Sequence, residues 1–366
     1  MLLSLVIPCY NEEKTLARCV EHVLRIADDD LQLQLVIVDD CSKDASFAVA
    51  SELARRFPAV TVVKHEQNRG KGAAVRTGFS HAVGDVVAIQ DADLEYDPKD
   101  LKRMLEPIRD GHADVVFGSR FLSATTHRVL YFWHSVANSA LTLLSNMFTD
   151  LNLSDMECCY KVFTREVAKK IVIHEDRFGV EPELAAQVAQ MRLRVYEMGI
   201  SYAGRTYEEG KKIGLKDAFR ALYCIIRYNA SHAPVFLQFL VYCCIGGTAA
   251  LVNLLVFLLL LPQTGVTPAA LTAFFVAAAT NYGLCVWLLF ERRVKWSATT
   301  ETILYLVLIC CVAAFDLEVT KGLIYAGLAA AGAKAIASVA GLIANFLGRR
   351  FLVFPQLRRG AWKPAA

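Results

Sequence analysis

Short apolar runs alternate with stretches of helical spacing over the first half of the chain. Residues 2–7 are an apolar run closed by Pro8, and a helix-like stretch follows from about 12 to 26. Residues 33–38 repeat the buried-strand pattern and end in Asp39 and Asp40. Residues 60–63, 86–90 and 114–117 read as further strands, and 42–57, 71–82 and 98–108 as helices. Strands that are apolar throughout are covered on both faces, so this alternation predicts a mostly parallel sheet with helices packed on it.

The pattern changes after Pro234. Four long apolar stretches run over about 235–261, 268–290, 301–320 and 323–348. Each is long enough for a hydrocarbon core of about 30 Å, which takes roughly 20 helical residues. The first loop between them has no charge. The second carries Glu291, Arg292, Arg293 and Lys295, and Arg349, Arg350, Arg358, Arg359 and Lys363 follow the fourth stretch. Basic loops stay on the cytoplasmic side, which predicts a cytoplasmic soluble part and C-terminus. Asp316, Glu318 and Lys321 fall near the outer end of the third stretch and read as interfacial. The unit also echoes itself. Asn281, Tyr282, Trp287, Leu288 and Phe290 are matched 64 residues on by Asn345, Phe346, Phe351, Leu352 and Phe354, the mark of a duplicated hairpin. Arg349 and Arg350 stand where the first copy has Cys285 and Val286. Before the spans, 129–148 is rich in Leu, Phe, Trp and Tyr interrupted by Asn and Ser, and 213–228 sets an apolar face against Lys216, Arg220 and Arg227; both read as membrane-surface helices, with two core helices as the alternative.

Composition sharpens the division. The chain has 366 residues, of which 55% are hydrophobic and only 20% charged. Before residue 233 there are 29 basic and 32 acidic residues, and after it 10 and 4, so the overall charge of +3 conceals an acidic part and a basic one. That balance argues against a dedicated nucleic-acid binder. Eleven cysteines without a Cys-x-x-Cys pair argue against structural zinc and suit a reducing compartment.

The chemistry collects where the strands end, which in an open α/β sheet is where ligands bind. There is no Gly-x-Gly-x-x-Gly after the first strand and no Walker pattern at Gly70-Lys71-Gly72, which disfavours nicotinamide and P-loop enzymes. Asp91-Ala92-Asp93 leaves the fourth strand as a pair of hard oxygen ligands suited to Mg²⁺ or Mn²⁺, with Glu95 as a further candidate. Such a metal would neutralise a departing diphosphate. Asp40 suits a base or ribose contact, or alternatively caps the helix that follows. Arg120 and Arg128, and the run Arg205, Lys211 and Lys212, suit phosphate. Glu181 and Glu183 fit the first turn of a helix as dipole partners.

These residues resemble the GT-A, family 2 glycosyltransferases that act on polyprenyl phosphates, the dolichol-phosphate mannose synthase group. The resemblance covers about residues 3 to 220. It rests on Val6-Ile-Pro-Cys-Tyr-Asn-Glu-Glu13, Val38-Asp-Asp40, Asn68-Arg-Gly-Lys-Gly72, Gln90-Asp-Ala-Asp-Leu-Glu95 and Gly118-Ser-Arg120. Residues 235–355 resemble the GtrA-like four-helix membrane domain. The resemblance implies domains at 1–212, 213–233 (an interfacial helix and linker) and 234–355, with a basic tail at 356–366. It implies that Pro8, Tyr10, Glu12, Asp40 and Lys71 hold the nucleotide and that Asp91, Asp93 and Glu95 hold the metal. Arg120, Arg128, Arg205, Lys211 and Lys212 would meet the acceptor phosphate, with Asp91, Asp93 and Arg120 as the catalytic set. Two departures bear on the sugar. Glu95 stands where these synthases often have Gln, and Cys158-Cys-Tyr-Lys161 stands where many have Ser-Gly-Phe-Arg.

The implied reaction is a single inverting transfer of a hexose from a nucleotide sugar to a polyprenyl or dolichyl phosphate at the bilayer. Mannose from GDP-mannose is the favoured donor and UDP-glucose or another UDP-sugar the alternative. An alternative of another class is a lipid-linked-sugar flippase or membrane scaffold without transferase activity. A processive transferase is disfavoured by the lack of a Gln-x-x-Arg-Trp segment.

Overall fold

The computed structural model describes residues 1–122, 129, 131–204, 214–290 and 296–355. The chain divides after His232 into two units.

The first unit is built on seven strands: β1 (Leu2–Cys9), β2 (Gln32–Asp39), β3 (Val60–Lys64), β4 (Val86–Ile89), β5 (Val115–Ser119), β6 (Lys161–Thr164) and β7 (Val195–Gly199). Their order in the sheet is β3-β2-β1-β4-β6-β5-β7, and every pairing is parallel except the two made by β6. The register runs from Leu2 beside Gln32 to Cys9 beside Asp39, and from Leu3 beside Val86 to Val6 beside Ile89. Leu3, Leu5, Val36, Ile37, Val87 and Val116 are buried, as strands covered on both faces must be. The parallel strands end along one edge, so the residues that follow β1, β2, β4 and β5 share it.

Helices α1 (Leu16–Leu24), α2 (Ser46–Arg56), α3 (Lys71–His81) and α4 (Lys99–Arg109) connect the first five strands. The first begins later than its spacing predicts, because Asn11 takes a left-handed backbone (φ 54°) in the turn after β1. Beyond β5 come α5 (Phe132–Thr149), α6 (Arg165–Lys170), α7 (Val180–Met191) and α8 (Leu215–Asn229). On α5 the side chains of Phe132, Trp133, Val136, Leu143 and Met147 are exposed. The apolar face of α8 is divided: Ala221, Cys224 and Ile225 are buried where α8 packs on α5 and α7, and Phe219 stays exposed.

The second unit consists of α9 (Val235–Thr264), α10 (Val266–Leu284), α11 (Ala298–Tyr325) and α12 (Ala330–Gly348). All four are long and apolar enough to cross a membrane, and Leu254, Leu258, Phe275, Ile303 and Val339 face outward. The unit makes the chain a multi-pass integral membrane protein. Its duplication is deeper than the sequence echo. Both α10 and α12 run into a π-helical turn, Cys285–Leu289 and Arg349–Val353. Ala269, Ala273 and Ala277 form a buried small-residue seam on α10, and Ala333, Ala337 and Gly341 form one at the matching places on α12. Phe290 and Phe354, equivalent residues of the two copies, stack on each other with ring centres 5.1 Å apart. The charges of the third span are paired: Lys321 bonds Glu318 at 2.8 Å, and Asp316 bonds Lys334 of α12.

Candidate active site

The turn after β1 is stitched to the start of α2. Asn11 Oδ1 accepts the Lys43 N–H at 2.8 Å, the Glu12 N–H donates to Ser46 Oγ at 2.8 Å, and Glu12 Oε2 accepts from the Thr15 hydroxyl at 2.8 Å. Pro8, Tyr10 and Glu12 are half-buried along this turn, beside the end of β2.

At that end the two neighbouring aspartates have different tasks. Asp40 is spent within the protein. Its Oδ1 meets His65 Nδ1 at 2.7 Å and the Arg69 N–H at 2.9 Å, and its Oδ2 accepts the Gly70 N–H at 2.6 Å. It thereby holds the turn that leads into α3. That turn needs glycine: Gly70 has φ +99°, and a Cβ there would run into the carbonyl of Asp176. Asp39 is fully buried, with Oδ2 on the Ser42 N–H at 3.2 Å and Oδ1 without any hydrogen-bond partner. A buried carboxylate oxygen left open is costly unless something outside the chain satisfies it. Asp39, not the Asp40 of the sequence reading, therefore offers the open acceptor.

Lys71 opens α3 and reaches the end of β4. Its Nζ lies 2.9 Å from Asp91 Oδ1 and 2.9 Å from Glu181 Oε1 in the first turn of α7. Burial opposes the ammonium charge, but Asp91 and Glu181 hold its pKa well above the ordinary lysine range. Glu181 Oε2 and Glu157 Oε1 are both out of water and without a hydrogen-bond partner. Glu157 is raised from 4.5 to about 8, by burial first and by the nearby charge of Glu181 second. Neither glutamate belongs to the expected site, and nothing in their sequence spacing relates them. Glu183 is different: its two oxygens take the N–H groups of His174 and Glu175, each at 2.8 Å, so it braces the loop before α7.

The raised carboxyl makes a pH prediction. Between about pH 4.5 and 8 the native chain keeps a proton on Glu157 that the unfolded chain has released, so this group costs more stability as pH rises through that window. Glu157→Gln removes that cost. Its unfolding midpoint should exceed that of the parent chain by more at pH 8 than at pH 5, as read by calorimetry. A salt-bridged carboxylate would give the opposite trend.

Asp91 and Asp93 are half-buried at the strand exit, and Asp93 Oδ1 accepts the Glu95 N–H at 3.2 Å. No three metal-ligating groups converge among the described residues. Two carboxylates still fit Mg²⁺ or Mn²⁺, because such ions commonly take one or two protein carboxylates and complete their shell with substrate phosphates and water. Lys71 already shows that this spot holds a cation. Glu95 is turned elsewhere: its Oε2 accepts from the Tyr202 hydroxyl at 2.7 Å, beside a cleft of ≈ 790 Å³ lined by Leu94, Tyr96, Asp97 and Ser201.

Arg120 follows β5 and is locked to Asp155, which is fully buried. Nε and Nη2 bond the two carboxylate oxygens at 2.7 and 2.8 Å, the Arg120 N–H adds a third bond at 3.0 Å, and Nη2 reaches Asn138 at 2.9 Å. The guanidinium lies 5.3 Å from the Tyr202 ring. Lys161, from the segment that departs from Ser-Gly-Phe-Arg, is fully buried and caps the carbonyls of Met156 and Cys158. Arg128, Arg205, Lys211 and Lys212 lie outside the described residues.

A sheet of this order, with a paired-acid loop leaving its central strand β4 and an open acid at the end of β2, on the other side of β1, fits a GT-A glycosyltransferase domain. Residues 4–172 match glycosyl transferase family 2, and residues 241–360 match the GtrA/DPMS transmembrane domain. The chain carries a GT-A-fold family 2 glycosyltransferase domain fused to a GtrA-like membrane domain. A dolichyl-phosphate beta-glucosyltransferase of Trichomonas vaginalis is 29% identical over 216 residues, which are 55% of this chain and 65% of that protein. A dolichol-phosphate mannosyltransferase of Pyrococcus furiosus is 35% identical over 122 residues, 33% of this chain and 34% of that protein. The crystal structure of glucosyl-3-phosphoglycerate synthase from Mycobacterium tuberculosis shares the fold at a TM-score of 0.50 and 18% identity. That match covers 62% of this chain and 80% of that one.

Proposed function

We propose that the chain transfers a hexose from a nucleotide sugar to a polyprenyl or dolichyl phosphate, with a UDP-sugar, UDP-glucose first, as donor. The observation that carries this reading is the meeting of Lys71, Asp91 and Glu181 at the open sheet edge of a chain that also has four membrane spans. The longer match to a dolichyl-phosphate glucosyltransferase supports glucose over the mannose expected from the family resemblance, since the mannosyl relative aligns with only a third of the chain.

In this reading Asp39 Oδ1 accepts an N–H of the nucleotide base, beside Pro8, Tyr10 and Glu12. Lys71 faces the diphosphate, and the open oxygens of Glu157 and Glu181 accept hydroxyl groups of the sugar. A divalent cation held by Asp91 and Asp93 supplies charge neutralisation at the diphosphate when bound. An acceptor phosphate oxygen attacks the anomeric carbon, the bond from that carbon to the diphosphate oxygen breaks, and the configuration inverts. The phosphate is anionic near neutral pH, so no general base is required. Arg120 is the acceptor-side cation among the described residues, and its grip on Asp155 fixes where its charge sits. Arg128, Arg205, Lys211 and Lys212 complete the proposed acceptor set. The basic loops after the second and fourth spans support a cytoplasmic side for this chemistry.

A donor panel tests the assignment. Full-length protein, undecaprenyl phosphate and Mn²⁺ are incubated with labelled UDP-glucose, UDP-galacturonic acid and GDP-mannose. Lipid-extracted label is expected from a UDP-sugar at least about tenfold above GDP-mannose, a difference of about 1.4 kcal/mol at the transition state. Transfer from GDP-mannose alone would return the reading to mannose.

A further inference from the structure

Arg349 is the first residue of the π-helical turn after α12 and is only 4% exposed. Its Nε donates to Asn345 Oδ1 at 3.0 Å, Nη1 donates to Asn281 Oδ1 at 2.6 Å, and Nη2 donates to the Tyr305 hydroxyl at 3.2 Å. Nη1 also meets Cys285 Sγ at 3.5 Å. The rings of Tyr305 and Tyr242 lie 4.8 and 5.4 Å from the guanidinium carbon. All of these partners are neutral. Among the described residues no carboxylate comes within ion-pair distance of Arg349 or of Arg350. Glu301, one turn before Tyr305 on α11, accepts the Tyr282 hydroxyl at 2.6 Å. At the opposite end of the bundle both lysines have carboxylate partners. The Nε and Nη1 of Arg350 are out of water and have no hydrogen-bond partner.

The duplication separates the demands of the backbone from those of the charge. The first copy forms the same π-helical turn with Cys285 and Val286, so the turn itself needs no arginine. The small-residue seams and the Phe290–Phe354 stack already hold the unit together. Among the described residues these two guanidinium groups have no counter-charge, and in an apolar bundle that is a cost an anion would offset. Planar guanidinium donors match phosphate oxygens. Phe351 and Leu352, next in the turn, are exposed and apolar, as walls for lipid chains would be.

We propose that Arg349 and Arg350 form an anion site in the membrane unit, at the end where the chain enters α9, that takes the phosphate of a lipid headgroup. Arg350 supplies the open donors and Arg349 the fixed charge. The site stands apart from the transferase reading and does not depend on it.

Native mass spectrometry of the full-length protein in neutral detergent tests this with phosphatidic acid, diacylglycerol and inorganic phosphate as probes. Phosphatidic acid should be retained and diacylglycerol not, with inorganic phosphate a poor competitor. Arg350→Gln should weaken phosphatidic acid retention about tenfold with an unchanged unfolding midpoint, and Arg350→Lys should fall between the two. Equal retention by the parent chain and Arg350→Gln, or equal retention of phosphatidic acid and diacylglycerol, would overturn the site. Inorganic phosphate binding as tightly as phosphatidic acid would overturn the lipid assignment and leave a free-phosphate site.

Discussion

Asp91→Asn should lower lipid-dependent sugar transfer by on the order of 10³-fold, about 4 kcal/mol of transition-state stabilisation. Asn keeps the size of the side chain and removes the charge that faces Lys71. Lys71 retains Glu181 at 2.9 Å, so its ammonium is not left unpaired in a buried place. The fold should therefore survive, with an unfolding midpoint within a few degrees of the parent chain. Single-turnover transfer together with calorimetry of the same sample checks both halves. A tenfold loss or less would remove Asp91 from the chemistry, and a collapsed midpoint would make it a structural acid.

Arg120→Ala should act on stability first. Asp155 would lose both guanidinium bonds and keep the Arg120 N–H at 3.0 Å and the Asn138 amide at 3.1 Å. Leaving a buried carboxylate without its cation costs about 3–5 kcal/mol. For a unit of this size that corresponds to roughly 10 °C in unfolding midpoint. Replacing both partners with apolar residues removes the stranded charge, so Arg120→Met with Asp155→Leu should be more stable than Arg120→Ala alone. Thermal unfolding of the three chains gives the comparison. Equal midpoints for Arg120→Ala and the parent chain would show that the pair contributes little to the fold.

The first five strands were legible because each is a short, mostly apolar run closed by proline, glycine or a charged or polar residue, and the four spans because each is apolar for about five helical turns. β6 was not legible. It is four residues long, begins with Lys161, and pairs antiparallel between β4 and β5, so it carries neither the length nor the composition of a buried strand. A buried lysine that caps carbonyls looks like a surface residue in a sequence. Asp39 and Asp40 could not be told apart for a related reason. They are adjacent where a strand ends, so their side chains take opposite sides, and only the position of His65 and Gly70 decides which one is spent. Glu157 and Glu181 meet across the fold with no motif between them. The repeat of the membrane unit was visible as five similar positions. Its small-residue seams were not, because alanine at every fourth place is common in any apolar helix.

The central claim is tested most directly by incubating the full-length protein with labelled UDP-glucose, Mn²⁺ and undecaprenyl phosphate and measuring label that partitions into organic solvent. The account predicts acid-labile lipid-bound hexose that requires the phosphorylated lipid and is lost in Asp91→Asn. No lipid-bound label from UDP-glucose or any other nucleotide sugar, with the protein shown to be folded, would contradict it.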